Sequence, residues 1–129
     1  MYQEALGQTV NRIFDHTCDE GGEREALVYH GDHGEERLTY LQLRRRVAAL
    51  ADGLHQAGVR KGDRVAFLLG VTTDWVTVFY AAMRLGAIAV PLNLVWTTRE
   101  IEQGLALTEA NVLIATDEFR ARNYLVELE

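Results

Sequence analysis

Apolar residues recur along the chain in two distinct patterns. Leu43, Val47, Leu50 and Leu54 are spaced four, three and four residues apart, which places them on one face of a helix. The stretch RVAFLL at 64–69 is short and almost continuously apolar, which is typical of a strand covered on both faces. Segments of these two kinds alternate, and that order predicts parallel strands joined by helices.

The predicted elements follow one another with short connections. In chain order they are a helix at 10–17, a hairpin with strands at 26–31 and 37–40 and a longer loop containing Gly34, a helix ending at Gly58, a strand at 64–69, a helix at 74–85, a strand at 87–92, a helix from Thr97 to about Leu107, a strand at 112–116 and a last helix capped by Asp117. We therefore predict an α/β fold: an open, mainly parallel sheet with helices on both faces, preceded by a helix and a β-hairpin.

Two helix starts carry the residues of a capping box. Thr39 with Gln42, and Thr97 with Glu100, have the spacing at which each side chain bonds the other residue's backbone N–H. Gly58 stands where the first of these helices needs a left-handed residue to end it. These signals define the boundaries of two helices independently of the apolar pattern.

The domain organisation follows from these elements. Residues 1–25 form an N-terminal helix and loop, 26–40 the hairpin and 41–129 the α/β unit. The helix at 74–85 is apolar nearly all round and needs cover on more sides than three strands supply. We therefore expect the chain to be an incomplete portion of a larger N-terminal domain, with exposed apolar surface that favours self-association.

Composition narrows the class of protein. The net charge of −6 argues against a nucleic-acid partner, which would normally meet a basic face. A single cysteine, Cys18, leaves no pair for a disulfide, and no apolar run has the length of a membrane span. The N-terminal residues do not read as a signal peptide, so we expect a cytoplasmic location.

The loop that follows the first predicted parallel strand is the best candidate for ligand chemistry. Parallel α/β sheets bind ligands beyond the carboxyl ends of their strands, and Thr72 or Thr73 there offers a hydroxyl beside a helix N-terminus. No GxGxxG or GxxxxGK[ST] string accompanies it. We favour a plain helix cap with Asp74 in the first turn over an anion site.

Other polar or aromatic candidates also favour structural interpretations. We interpret the loop that contains His30, Asp32, His33, Glu35 and Glu36 as a solvated turn rather than a metal site. The arginines of 43–47 form a solvated helix face in this interpretation. We interpret Cys18 as a structural thiol, and Trp75 and Trp96 as packing residues. From residue chemistry alone, we predict no catalytic, cofactor-binding or metal-binding residue in this chain.

Five strings in the region 26–116 resemble the N-terminal part of the adenylate-forming superfamily, which includes acyl-CoA synthetases and peptide-synthetase adenylation domains. They are ALVYHG, RLTYLQL, GVRKGDRVAFLL, RLGAIAVPLN and WTTREI, in the family's order. The resemblance implies that Gly62, Asp63, Gly86, Pro91, Asn93, Thr97 and Glu100 are family-motif residues with structural roles. Pro91, the single proline, would end a strand, and Asn93 would bond the turn that follows.

The resemblance implies chemistry that lies elsewhere in the family's sequences. Full-length members use ATP and Mg²⁺ to convert a carboxylic acid to an acyl-adenylate, and many pass the acyl group to CoA or another thiol. The family's phosphate loop, its aromatic-Gly-x-Thr-Glu stretch, its ribose-binding aspartate and its C-terminal lysine have no matching strings here. We therefore expect this chain to bind no cofactor itself and to have the rest of the enzyme as its partner.

The sequence departs from the family pattern at two places. One is the loop after the first parallel strand, and the other bears on the identity of the acceptor thiol. Residues 71–74 read Val-Thr-Thr-Asp where many members have asparagine followed by Ser-Pro-Glu. Val95 stands where many members have an arginine, which in some CoA ligases meets the CoA nucleotide. The acceptor thiol, CoA or a carrier protein, is therefore left open.

Three functional hypotheses follow. The first is an N-terminal scaffold fragment of an ATP-dependent acid–thiol ligase, inactive alone. The second is a stand-alone, non-catalytic binding or assembly module of the same fold. The third is a flavodoxin-like nucleotide binder that uses the loop at 70–75.

Overall fold

The structure is a computed structural model that describes residues 8–32 and 34–128. Its elements, in chain order, are α1 (Val10–Gly21), β1 (Glu25–Gly31), β2 (Gly34–Thr39), α2 (Tyr40–Gln56), β3 (Arg64–Leu68), α3 (Thr73–Arg84), β4 (Ile88–Pro91), α4 (Thr98–Thr108), β5 (Val112–Ala115), β6 (Glu118–Phe119), β7 (Arg122–Asn123) and α5 (Tyr124–Glu127). The α/β class and the predicted order are confirmed up to β5. Within the described ranges, no helix is long and apolar enough to cross a membrane.

A three-stranded parallel sheet, in the order β4-β3-β5, forms the centre of the fold. Successive residues of β3 point to opposite faces: Val65 packs with α2 and α3, whereas Ala66 and Leu68 pack with Ile101 of α4. Because both faces are covered, β3 is buried from Val65 onward, which explains its continuous apolar sequence. The prediction of helices on both faces is confirmed.

Pro91 is the last residue of β4, an edge strand of this sheet. The neighbouring N–H groups that bond to β3 belong to Ile88, which donates to Asp63, and Leu92, which donates to Phe67. Alternation along a strand places the nitrogen of Pro91 on the side that faces away from β3. The proline therefore costs the sheet no ladder hydrogen bond and ends the strand, as expected.

The hairpin and α1 form a second layer of packing against α2 and α3. Phe14 of α1 stacks on Tyr80 of α3 with ring centroids 4.1 Å apart, and both contact the cluster that contains Cys18 and Val47. The chain itself thus covers the outer side of α3, which we had expected to need cover from elsewhere. The hairpin register pairs Gly31 with Gly34, so its strands extend farther than predicted. His33 lies outside the described residues.

The two predicted capping boxes and the predicted end of α2 are confirmed, whereas α1 runs to Gly21, four residues beyond the predicted range 10–17. In both capping boxes, Thr39 with Gln42 and Thr97 with Glu100, each side chain bonds the partner's backbone N–H. At the end of α2, Gly58 has φ 101° and the N–H of the next residue, Val59, donates to the carbonyl of Leu54. This bond is the C-terminal closure that the glycine position predicts.

The predicted last helix, capped by Asp117, is wrong. A small hairpin, β6–β7, replaces most of it, and α5 is a short helix capped by the side chain of Asn123. Arg120 and Ala121, at the hairpin tip, both have positive φ, as a two-residue type I′ turn requires. Neither is a residue that favours this conformation, so the sequence carries no turn signal.

Candidate functional site

The carboxyl ends of β3 and β4 open onto a groove of about 330 Å³. It lies where open parallel sheets bind their ligands, beyond the strand ends. A larger cavity of about 380 Å³ lies between α1, the first hairpin, α2 and α3, away from these strand ends. We take the groove, hereafter the carboxyl-edge groove, as the candidate site. It is lined by Leu69, Gly70, Val71, Trp75, Leu92, Asn93, Leu94, Val95 and Phe119.

The lining of this groove is uncharged. Its one polar side chain, Asn93, has its Oδ1 bonded to the backbone N–H of Val95 at 3.1 Å, as the sequence predicts for this turn. Val71 and Val95, on the two loops that flank the groove, are 88% and 63% exposed. The lining of the carboxyl-edge groove therefore favours contact with apolar groups.

The loop after β3 is tied to the first hairpin. The hydroxyl of Thr73, at the start of α3, donates to the carboxylate of Glu36 on β2, and Arg46 of α2 bonds the same carboxylate at 2.7 Å. The Thr73 bond is the main cause that lowers the pKa of Glu36 below its ordinary value. Thr72 is the N-cap of α3 but makes no side-chain cap bond. The predicted helix start, with Asp74 in the first turn of α3, is confirmed, although the cap lacks a side-chain bond and the hydroxyl of Thr73 bonds a carboxylate of the chain itself.

The loop after β4 is held by the C-terminal segment. The hydroxyl of Tyr124, 1% exposed, donates to the carbonyl of Leu94 at 2.6 Å. Arg122 donates to the carbonyls of Leu94 and Trp96 at 3.3 and 2.6 Å, with its guanidinium over the Tyr124 ring. We call Arg122 and Tyr124 the clamp. It fixes the wall of the groove that carries Val95.

Glu127 completes the clamp from α5. Its carboxylate accepts hydrogen bonds from Arg122 and from the hydroxyl of Thr98 at 2.9 Å. These bonds lower the pKa of Glu127, with the Arg122 bond as the larger cause. The first turn of α4 and the loop before it are therefore both connected to the last described helix.

The predicted family-motif residues are placed in three groups along the sheet. Pro91 and Asn93 lie at the carboxyl edge, and Asn93 lines the groove. Thr97 and Glu100 cap α4, one turn farther along the chain. The structure does not bring these four together with Gly62, Asp63 and Gly86, which lie at the opposite, amino edge.

The amino-edge group forms a backbone junction between two strands. The N–H of Gly62 donates to the carbonyl of Gly86 at 2.9 Å, and Ile88 donates to the carbonyl of Asp63 at 2.7 Å. Gly86 has φ 68°, and a Cβ there would come within 3.1 Å of Lys61 Cγ. The positive φ and this tight contact favour glycine where the two chain segments meet.

The remaining candidates occupy structural positions. Cys18 is buried, and burial raises the pKa of its thiol, which keeps it protonated at neutral pH. Trp75 makes an edge contact with Phe67 and also lines the carboxyl-edge groove, so its side chain packs against the core and forms part of the groove surface. Trp96 packs in the core beside α4. Among the described residues, no three His, Cys, Asp or Glu side chains are grouped to hold a metal ion.

The clamp and the Glu36 bond were missed at the sequence level. Arg122 and Tyr124 lie about 30 residues from the carbonyls they bond, and Glu36 lies 37 residues from Thr73. No periodicity links positions this far apart. The nearest available signal was Tyr124, an aromatic residue that directly follows Arg122 and Asn123.

Fold and groove define an α/β protein with an open parallel sheet and an apolar carboxyl edge. The sequence matches the family described as AMP-binding enzyme over residues 14–128. The chain belongs to this family. It is 46% identical over 86 residues to a feruloyl-CoA synthase from Amycolatopsis sp. The aligned region covers 67% of this chain and 18% of that protein. It is 33% identical over 117 residues to the mitochondrial medium-chain acyl-CoA ligase ACSF2 of Bos taurus, 91% of this chain and 19% of that one.

Solved structures give the same assignment. The fold is similar to the N-terminal subdomain of Klebsiella oxytoca NpsA, with a TM-score of 0.79 and 29% identity over 87% of this chain and 28% of that one. It is also similar to the N-terminal domain of FACL13 from Mycobacterium tuberculosis, with a TM-score of 0.77 and 29% identity over 84% of this chain and 27% of that one. The chain thus spans about a fifth of these curated relatives and under a third of these solved chains.

The side chains at the carboxyl edge do not fit ATP and Mg²⁺, the cofactors that full-length members of this family use. Triphosphate binding calls for cationic side chains or a glycine-rich cradle, and Mg²⁺ for carboxylate oxygens. The groove offers seven apolar side chains, Gly70 and the amide of Asn93, which already bonds its own turn. No step of nucleotide chemistry can be assigned to these residues.

Proposed function

We propose that this chain is the N-terminal scaffold of an ATP-dependent acid–thiol ligase. In the parent, a carboxylate would attack the α-phosphate of ATP to give an acyl-adenylate and pyrophosphate, and a thiol would then displace AMP to give a thioester. The match to the AMP-binding family over residues 14–128 carries the proposal. The acyl-CoA ligase and synthetase names of its relatives support it.

The role of this chain within the parent is structural. It contributes a parallel sheet whose carboxyl edge is apolar and whose flanking loops are fixed by Glu36 and the clamp. The charged groups of the reaction, ATP phosphates and Mg²⁺, would be held by the rest of the parent, in the cytoplasm. The chain alone is inert in this proposal.

Acid-dependent ATP–pyrophosphate exchange tests the proposal. The 129-residue chain is compared with a chimera in which its residues 14–128 replace the matching part of Klebsiella oxytoca NpsA. The relatives' names direct the choice of acids: ferulate, 3-hydroxybenzoate and octanoate. We expect no exchange by the chain and exchange with at least one acid by the chimera.

Two results would contradict the proposal. Exchange by the purified chain would show that its own residues perform adenylation. A folded chimera inactive with every acid would favour the alternative of a non-catalytic binding or assembly module.

A further inference from the structure

The cavity of about 380 Å³ beside α1 has no part in the proposed function. It lies between α1, the first hairpin, α2 and α3, away from the carboxyl ends of the parallel strands. Its volume is at the lower end of the range of small-molecule sites in proteins, which suits a ligand of one or two rings. We call it the α1 cavity.

Polar contacts hold α1 in place over the α1 cavity. The side-chain amide of Asn11 donates to the carbonyl of Met83, at the end of α3, at 2.7 Å. Arg84 pairs with Asp15 one turn farther along α1. Because these bonds join α1 to α3, they oppose collapse of the helix into the cavity. A site that is preformed in this way binds a ligand with little cost of ordering.

Aromatic residues supply much of the cavity wall. Phe14 and Tyr80, which both line the cavity, stack with ring centroids 4.1 Å apart and an interplanar angle of 23°. Tyr40 lines it from the start of α2. Aromatic rings gain from stacked and edge contacts with one another beyond the area that they bury. The wall therefore favours a planar aromatic ligand.

The charge of the lining restricts the ligand further. Among the residues that the structure describes, no charged side chain lines the α1 cavity. The hydroxyl of Thr17, which lines it, donates to the carbonyl of Ile13 at 2.8 Å. Burial of a carboxylate without a paired cation costs far more than burial of a neutral group. The cavity therefore favours an uncharged ligand over the carboxylic acids that the proposed function requires.

Two tyrosine hydroxyls at the cavity are available to a ligand. Tyr40 and Tyr80 are both half-buried, and the described part of the chain offers neither hydroxyl a hydrogen-bond partner. The hydroxyl of Tyr124, by contrast, is bonded to the carbonyl of Leu94. A tyrosine hydroxyl can donate to a ligand hydroxyl or accept from it. These groups favour a ligand that carries a hydroxyl on its ring.

We propose that the α1 cavity is a binding site for an uncharged phenol of one or two rings. The ligand ring contacts Phe14, Tyr40 and Tyr80, and its hydroxyl bonds one of the two tyrosine hydroxyls. Val10 and Ile13 line the cavity and are 47% and 39% exposed, so the ligand enters from solvent beside the first turn of α1. The site is separate from the carboxyl-edge groove, and the inference does not depend on the proposed function.

A titration with 2-naphthol tests this site. The compound is uncharged at pH 7, as the phenol of tyrosine is. Methyl NMR spectra of the 129-residue chain are recorded during the titration, at a chain concentration at which it is monomeric. The methyl signals of Ile13, Leu27 and Val76, which line the cavity, should shift with one shared dissociation constant. Those of Leu107 and Val126, which do not line it, should stay in place.

Two related compounds test the chemistry of the ligand. 2-Naphthoate has the same rings with a carboxylate, and it should bind at least about tenfold more weakly than 2-naphthol. Naphthalene lacks the hydroxyl, and it should bind about threefold to tenfold more weakly, because it forgoes one hydrogen bond.

Substitutions at the cavity provide a second test. Val10→Trp places an indole at the entrance and should weaken 2-naphthol binding at least about tenfold. Val126→Trp, at an exposed position on α5, is the matched control and should leave binding unchanged. The double variant Tyr40→Phe with Tyr80→Phe keeps both rings, and it should bind 2-naphthol and naphthalene about equally. The methyl titration needs no variant, so it decides the matter even if a variant fails to fold.

Several results would overturn the inference. One is the absence of methyl shifts up to the solubility limit of 2-naphthol, and another is a set of shifts confined to Leu92 and Leu94 in the carboxyl-edge groove. Equal binding of 2-naphthoate would refute the selection by charge. If a chain that begins at Gln8 binds at least tenfold more tightly, the first seven residues occupy the cavity instead. Binding that weakens as chain concentration rises would identify a second copy as the occupant.

Discussion

The hydroxyl of Tyr124 makes one of the few buried side-chain hydrogen bonds in the described chain. It donates to the carbonyl of Leu94, which also accepts a longer bond from Arg122. We expect Tyr124→Phe to lower the free energy of unfolding by about 1 kcal/mol, the usual net contribution of such a bond. Urea unfolding at pH 7 measures the change.

Tyr29→Phe is the control for this substitution. Tyr29 is half-buried on β1, and we expect its loss of a hydroxyl to change stability by less than about 0.5 kcal/mol. If Tyr124→Phe proves equally silent, the clamp does not hold the loop after β4.

The carboxylate of Glu36 should make stability depend on pH. Its bonds to Thr73 and Arg46 lower its pKa in the folded state, so they stabilise the protein above the ordinary glutamate pKa. This contribution is lost as pH falls through the lowered folded pKa. At pH 7 we expect Glu36→Gln to cost less than about 1 kcal/mol, because the side chain is partly exposed.

Urea midpoints measured from pH 7 down to pH 3 check this prediction. The difference in urea midpoint between the unsubstituted chain and Glu36→Gln should shrink toward zero below about pH 4, the ordinary range of the glutamate pKa. Glu102→Gln on the exposed side of α4 serves as the control. A gap for Glu36→Gln that widens toward low pH would contradict the assigned bonds.

At the scale of elements, the β6–β7 hairpin is formed against its local sequence. Ala121 at its tip has φ 63°, a conformation that glycine adopts without strain. We expect Ala121→Gly to stabilise the protein by roughly 0.5–1 kcal/mol, as relief of left-handed strain exceeds the added backbone entropy. Thermal and urea unfolding would measure the gain.

The same substitution in a helix should have the opposite sign. Ala49 is exposed within α2, where glycine costs about 1 kcal/mol relative to alanine. Destabilisation by both glycine variants would mean that residues 118–123 do not form this turn.

At the scale of the whole molecule, exposed apolar surface should drive association. Several large apolar side chains are exposed: Val10, Ile13, Val28, Val71, Val95, Leu107 and Leu125. We expect the average mass of the isolated chain to rise with concentration in sedimentation velocity, because water-exposed apolar patches associate. A monodisperse, thermally robust monomer up to the highest concentration would contradict this prediction.

Local patterns in the sequence determined most of the fold. The spacing of apolar residues fixed α2, the capping boxes at Thr39 and Thr97 fixed two helix starts, and Gly58 fixed a helix end. The position of Pro91 at the end of a strand was also readable. Each of these signals acts between residues at most a few positions apart, so the sequence expresses it directly.

The tertiary structure decided the rest. The prediction of a last helix was wrong because Arg120 and Ala121 adopt a turn that their own conformational preferences oppose. The burial of Tyr124 against the loop after β4 holds this turn. The bond from Thr73 to Glu36 and the neighbourhood of Val71 and Val95 likewise join segments far apart in the chain. Such contacts depend on how sheet and helices pack, and packing is a property of the folded chain rather than of any short stretch of it.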